Sequence, residues 1–467
     1  DVLFRFSGAE QIAGLYRVRP KNTDGERVTH YVIDHPVFKN LDEERGEFEI
    51  YSHDKPGRPF ATDATKFACF NAAVCSAIQQ QLFGSLNILH LHDWHAAFLL
   101  MLRRFDAHAE HLRGLRTVYT IHNLALQGAR PFENDSSSLE SWFPQLEQTP
   151  ELLQTLGDPR WEDCVNPMAA GIRLADAVHT VSPTYAREIL EPSRPPQSFG
   201  GEGLEADLQA AMQENRLQGI LNGCRYLGEK QKPFSATAMM DLFKAEAAHW
   251  VAKRAALSPA DYAALETIDR VSGARKKPTF IAGSISRIVD QKTLLMKAKG
   301  TNGKSGLENI LDTLGPNRLY VILGTGDHET EAFLTEAALT HPNFLFLNGY
   351  SNAIANALYT SGSLFLMPSS FEPCGIGQML AMREGQPCLV HRTGGLRDTI
   401  DPDVSGFGFE GETIEQQVDA MTAELGKALS MHDNSSTDWQ AVCEAASQAR
   451  FEWGTVARQY IEKLYSR

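Results

Sequence analysis

The sequence has no Cys-x-x-C pair, no basic block, no internal repeat, no low-complexity tract and no apolar run long enough to span a membrane. Each absence closes a class. The seven cysteines (Cys69, Cys75, Cys164, Cys224, Cys374, Cys388 and Cys443) are an odd, scattered set. They do not form a disulfide framework and read as free thiols in a reducing compartment. Arg, His and Asp interrupt every apolar candidate short of the roughly 18 residues that a spanning helix needs. Acidic residues outnumber basic ones 58 to 44, for a formal charge of −14 at pH 7. That balance argues against nucleic acid and against an anionic membrane as bulk partners, while local basic clusters stay free to hold phosphate. The chain opens at Asp1, with neither Met nor a signal-peptide pattern ahead of it, as a fragment of a longer protein would.

What is present is the composition of a globular protein, 43% hydrophobic and 22% charged over 467 residues. That length exceeds one ordinary core, so two or three domains are expected. Residues 1–65 mix short apolar pieces with polar turns, and a helix is expected from Asp63 to Phe83. Strands from Leu86 to Leu91 and from Arg116 to Ile121 then run into His92-Asp93-Trp94-His95 and His122-Asn123. Residues 133–165 read as a polar insertion near the cleft, and Phe199 to Gly203 as a flexible, glycine-rich loop. A strand from Leu217 ends at Asn222-Gly223, and a helical section covers 235–267. A second α/β run begins at Thr279, includes the strands Leu319 to Leu323 and Phe344 to Leu347, and ends in amphipathic helices from Trp439. The expected fold class is therefore α/β, with two Rossmann-like parallel-sheet domains facing across a cleft. The expected boundaries are 1–225, 226–440 and, for helices returning to the first domain, 441–467.

Ligands in such sheets bind at the carboxyl ends of the strands, and the richest such end lies between Met367 and Ile400. There an apolar strand breaks at Phe371-Glu372-Pro373-Cys374-Gly375, a helical stretch follows, and a second strand runs into Thr393-Gly394-Gly395. Backbone amides at a helix start attract phosphate, and glycine allows its close approach. Glu372 could meet a sugar hydroxyl or a developing cation, or simply cap the helix. Arg287 and Lys292 flank another strand end, where both could reach one diphosphate or form a solvated turn. Cys374 could be a nucleophile, but no basic partner accompanies it, so a packed thiol is expected. Gly324 and Gly326 begin a dinucleotide-like turn whose third glycine position is Glu329, a weak fingerprint. His90, His92 and His95 lack the converging second cluster that zinc requires, so no metal is expected.

Taken in order, HLHDWHA (90–96), YTIHNLALQG (119–128), AVHTVSPTYAREI (177–189), GILNG (219–223), SRIVDQK (286–292), LGTGD (323–327), LFLMPSSFEPCG (364–375) and RTGGLRDTI (392–400) resemble one family. It is that of bacterial glycogen synthases and plastid starch synthases, retaining glucosyltransferases of the GT-B fold. The resemblance runs from about Tyr31 to the C-terminal helix. It implies transfer of glucose from ADP-glucose to the end of an α-1,4-glucan such as glycogen or maltodextrin, with no cofactor beyond that co-substrate. By the same resemblance Arg287 and Lys292 would hold the donor diphosphate, and Glu372 would meet the donor glucose. Asp93, His122 and Asn123 would come from the first domain, with Asn222 closing that side. Gly324, Gly326, Tyr350, Cys374 and Gly375 would line the donor pocket, and Thr393, Gly394 and Gly395 would face the phosphates. The implied compartment is bacterial cytoplasm or plastid stroma.

The departures are specific. Nothing in the chain matches the family's Lys-x-Gly-Gly-Leu loop, so its first β-α unit is expected to be absent here. Gly377 stands for a Thr, Thr293 for a Gly, and Ser370 for the Arg of SRFEP, while the Asp of Asn-Gly-x-Asp and the Trp-x-Pro after it are missing beyond Cys224. Leu380 occupies the place of the second glutamate found in the broader sugar-nucleotide group. A synthase using UDP-glucose and a catalytically silent glucan-binding homologue are the alternatives.

Overall fold

The computed structural model describes residues 1–18, 28–39, 41–42, 47–48, 51–52, 54–226, 232–254 and 256–466. Two parallel sheets dominate. The first has four strands in the order Leu217–Gly219, Ala177–Thr180, Arg116–Ile121 and Ile88–His92. The second has six, in the order Phe344–Leu347, Leu319–Leu323, Ile281–Ile285, Leu364–Met367, Cys388–His391 and Gly406–Phe409. Strands such as Leu-Tyr-Val-Ile-Leu at 319–323 are buried along their whole length, because helices cover both faces of a parallel sheet and leave no polar side. The helix Gly306–Leu314 begins with a capping box, Ser305 accepting from the Glu308 amide while Glu308 accepts from the Ser305 amide, so two otherwise orphaned donors are satisfied together.

Separate cores support the two sheets. Phe98, Tyr119, Trp142 and Ile172 belong to one, while Phe280, Tyr320, Phe344 and Phe407 belong to another. The C-terminal helix Trp453–Tyr460 and the helical turn Ile461–Tyr465 after it return to the first sheet, placing Val456 and Leu464 against Val118, Ala177 and Ile220. The outgoing and returning connections lie side by side. Cys224 bridges Glu452 in parallel, the Cys224 amide donates to the Phe451 carbonyl at 2.7 Å, and the Phe451 amide donates to the Tyr226 hydroxyl at 2.9 Å.

Two expectations needed correction. The N-terminal region is not a set of isolated pieces. Val2–Phe6, Ala9–Val18 and His30–Asp34 form a three-stranded antiparallel sheet, with Leu3 opposite Ile12 and Tyr16 opposite Val32. Leu3, Ile12 and Tyr16 are all exposed, and apolar side chains on the outer face mask the alternation that would have announced a strand. The loop Phe199–Gly203 is not loose. The Gly200 amide donates to Ser193 Oγ at 2.9 Å, the Gly201 amide to the Glu191 carbonyl at 2.8 Å, and the Glu202 carbonyl accepts from Gln127 and Arg160.

Candidate active site

In the six-stranded sheet the chain reverses direction of build beside Ile281–Ile285, which pairs with Leu319–Leu323 on one side and Leu364–Met367 on the other. A crevice at such a switch point is where open α/β sheets take ligands. Lys292, in the first turn of the helix Asp290–Lys297, enters from one strand end. Glu372, in the loop after Met367, enters from the next, and the two side chains form an ion pair. Ser369 Oγ donates to the same carboxylate oxygen at 3.1 Å. Gln291 stitches the two segments together, accepting from the Ser370 amide at 2.9 Å and donating to the Phe371 carbonyl at 3.0 Å. The hollow above the pair is lined by Ser284, Ser286, Ser369 and Gly375. Removing two charges from water costs several kcal/mol per ion, and only 16% of the Lys292 side chain and 8% of the Glu372 side chain remain exposed. A sheet that could have placed apolar residues here carries a charged pair instead, which makes this end of the sheet the candidate site.

Arg287 stands exposed at the end of Ile281–Ile285. The Gly324-Thr325-Gly326 turn holds its loop in place. The Ile288 amide donates to the Thr325 carbonyl at 2.8 Å and the Asp327 amide to the Ile288 carbonyl at 2.7 Å. A Cβ at Gly324 would lie 1.9 Å from the Ser286 carbonyl oxygen, and one at Gly326 would lie 2.1 Å from that of Ile288. The two glycines are therefore needed for close backbone packing beside Arg287.

The first domain supplies the opposite rim. Asp93 follows the strand Ile88–His92 with φ of 55°, a left-handed conformation that Asp tolerates better than most residues and that is common at functional sites. Its carboxylate accepts from the His122 amide at 2.8 Å and from that of Asn123. Burial nevertheless pushes its pKa up to about 6, because desolvation outweighs those two amides. His122 ends the neighbouring strand, with its ring Nε2 3.0 Å from His92 Nδ1. Burial lowers its pKa below the ordinary histidine value. Tyr51 was missed by the sequence reading. It packs on Phe67 and His95, and its hydroxyl lies within electrostatic reach of Asp93 and of Arg287 across the cleft. A single Tyr between polar residues carries no signal of its own, and only the folded loop brings it there.

Of the other expected residues, Asn222 and Cys374 meet at the domain boundary, where the Asn222 amide points at the Cys374 sulfur. Cys374 is buried and its thiol pushed up to about 12, a packed thiol rather than a nucleophile. Asn123 Oδ1 accepts from the Ala125 amide at 2.9 Å and shapes its own turn. Tyr350 is exposed, with its hydroxyl donating to Asn352 Oδ1 at 2.7 Å. The glycine turn expected to face phosphate receives a carboxylate of the first domain. Glu188 of the first domain accepts from the Gly394 amide at 2.9 Å and from the Thr393 hydroxyl at 3.3 Å, while the Gly395 amide donates to the Glu372 carbonyl at 3.0 Å. His90 and His92 stack with ring centroids 4.5 Å apart, His90 sitting between the Tyr465 and Thr120 hydroxyls, while His95 stacks on Trp94 instead. Among the described residues no group of three His, Cys, Asp or Glu could hold a metal, and no helix is long and apolar enough to cross a membrane.

Comparison with known proteins gives this geometry a context. Residues 3–210 match the family model described as the starch synthase catalytic domain, and residues 269–432 match that of group 1 glycosyl transferases. The glycogen synthase of Streptococcus equi subsp. zooepidemicus is 31% identical over 453 residues, covering 94% of this chain and 82% of that protein. That of Deinococcus deserti is 35% identical over 420 residues, with coverage of 89% and 80%. Among solved structures, the catalytic domain of starch synthase IV from Arabidopsis thaliana, bound to ADP and acarbose, matches with a TM-score of 0.71 at 26% identity, covering 100% of this chain and 86% of that one. With its two facing parallel sheets and a switch-point cleft, the chain belongs to the glycogen synthase and starch synthase family of retaining glycosyltransferases with the GT-B fold.

Proposed function

We propose that the protein transfers glucose from ADP-glucose to the non-reducing end of an α-1,4-glucan, with retention of configuration. The observation that carries this reading is the Lys292–Glu372 ion pair at the switch-point crevice of the second sheet, with Arg287 exposed at the end of the adjoining strand. In such a transfer the bond from glucose C1 to the phosphate oxygen breaks, and the electron pair leaves with ADP. The acceptor hydroxyl forms its bond to C1 on the same face and passes its proton to the departing phosphate. Charge grows on that phosphate, so cations fixed beforehand contribute the largest share of the rate. Arg287 offers a fork to the diphosphate and Lys292 a point charge. Glu372 orients the glucose through a hydroxyl, and Asp93 and His122 hold the acceptor end. The proposal needs no metal and no cofactor, since Arg287 and Lys292 supply the positive charge.

The test is incorporation of labelled glucose into glycogen, with ADP-glucose and UDP-glucose run in parallel and the new linkage checked for its anomeric form. Incorporation from ADP-glucose into an α-linkage is expected. Preference for UDP-glucose would overturn the donor assignment, and no incorporation from either would overturn the reaction.

A further inference from the structure

The helix Pro183–Glu188 in the first domain and the helix Gly394–Thr399 in the second cap one another across the cleft. Glu188, at the end of the first, accepts from the Gly394 amide at 2.9 Å and from the Thr393 hydroxyl at 3.3 Å at the start of the second. Asp398, near the end of the second, accepts from the Thr184 amide at 2.7 Å and the Thr184 hydroxyl at 2.7 Å at the start of the first. The pattern is reciprocal, each helix satisfying the orphaned donors of the other. Both carboxylates make these hydrogen bonds across the boundary between the domains.

Both ends of this clasp lead to the reacting groups. On one side, the Gly395 amide donates to the Glu372 carbonyl at 3.0 Å, and Ser182 Oγ donates to the Pro373 carbonyl at 2.6 Å. On the other, Tyr185 of the same first-domain helix accepts from the Leu124 amide at 3.2 Å, two residues past His122. Hydrogen bonds made by one short helix and its N-cap thus reach both the Glu372 loop and the segment just after His122.

We propose that Glu188 and Asp398 are positioning residues, a two-carboxylate clasp that sets the separation between the donor-side groups around Glu372 and the acceptor-side groups around His122. The inference rests on the transferase reading for its kinetic consequence, though not for its structural one. Donor diphosphate would be held by Arg287 and Lys292 within a single domain, so loosening the clasp spares ADP binding and slows transfer. A misplacement of about 1 Å between reacting groups costs roughly a hundredfold in rate.

Glu188→Ala and Asp398→Ala are compared with wild type in three measurements: kcat for transfer, ADP affinity by calorimetry, and radius of gyration by solution scattering. The expected result is a kcat lowered roughly a hundredfold, ADP affinity kept within about threefold, and an expanded scattering profile. Glu188→Gln, which keeps an oxygen for the Gly394 amide, should recover most of the rate. Because the carboxylates act as one device, the double variant should be hardly slower than either single one. A wild-type kcat in Glu188→Ala, or a loss of ADP affinity in step with kcat, would overturn the proposal. If wild type transfers from neither nucleotide sugar, the reaction reading fails, and scattering alone decides the clasp: an unchanged radius in both Ala variants then overturns it.

Discussion

The Lys292 ammonium rests on the Glu372 carboxylate, with the carboxylate oxygen it contacts also receiving the Ser369 hydroxyl at 3.1 Å. The pair spans two neighbouring strand ends of one sheet, so each side chain fixes the other before any ligand arrives.

Truncating one partner strands the other. Lys292→Ala leaves a buried carboxylate without a counter-charge, so unfolding in urea should reveal a loss of about 3 kcal/mol. Turnover should fall by roughly 10²–10³-fold as the leaving phosphate loses a fixed cation. The double variant Lys292→Met with Glu372→Leu should regain most of the stability and none of the activity. That split separates a catalytic pair from a structural one.

Asp93 should cost the fold what it gives to the reaction. Burial raises its pKa from 3.8 to about 6, so between those values the folded state binds a proton that the unfolded state has released. Its contribution is complete below pH 4 and lost as pH rises through 6. Asp93→Asn, whose oxygen can still accept from the His122 amide, should therefore stabilise the protein by about 2 kcal/mol at pH 7. The gain should vanish below pH 4, and transfer should collapse at every pH. Thermal unfolding across that range, beside initial rates, checks both halves.

How much of this was legible beforehand depended on whether a signal was local. Arg116–Ile121, Leu319–Leu323 and Phe344–Leu347 were readable to the residue, because runs rich in β-branched, aromatic and leucine residues ended at Gly, Asn or His. Glu372 and Lys292 were readable because each sits in a recognisable string at a strand end. The outer-face apolar residues of the first three strands hid their period. The facing of Glu188 and Gly394, 206 residues apart, has no trace in either segment, since each reads as an ordinary helix end. The Thr393-Gly394-Gly395 turn read as an anion site, and the anion it meets in this structure is the carboxylate of Glu188.

Gly394 admits no side chain. Its φ is +46°, and a Cβ there would meet the Glu372 carbonyl oxygen at 1.9 Å. Gly394→Ala should shift the Glu372 loop and destabilise the protein by about 2–3 kcal/mol. Gly426→Ala, in an open helical position with nothing within 4 Å, serves as the control and should be neutral or slightly stabilising.

The thiols should be quiet. Burial pushes Cys69, Cys75 and Cys374 up to about 12 and Cys443 to about 11. Native protein at pH 7.5 should resist iodoacetamide for hours at these four positions, as read by peptide mass, and should keep its activity. Rapid labelling of Cys374 would contradict its packed environment.

The paired connections at Cys224 and Glu452 constrain how the two halves can move. Two connections that cross the boundary together, hydrogen-bonded to one another at Cys224 and Phe451, resist lengthening independently, so one sheet is held from sliding past the other. What remains is a swing about a single line through residues 224–226 and 449–452, like a door on one pin. Replacing Tyr226, whose hydroxyl accepts from the Phe451 amide and donates to the Ala449 carbonyl, would unfasten that pin and give the domains a second direction of travel.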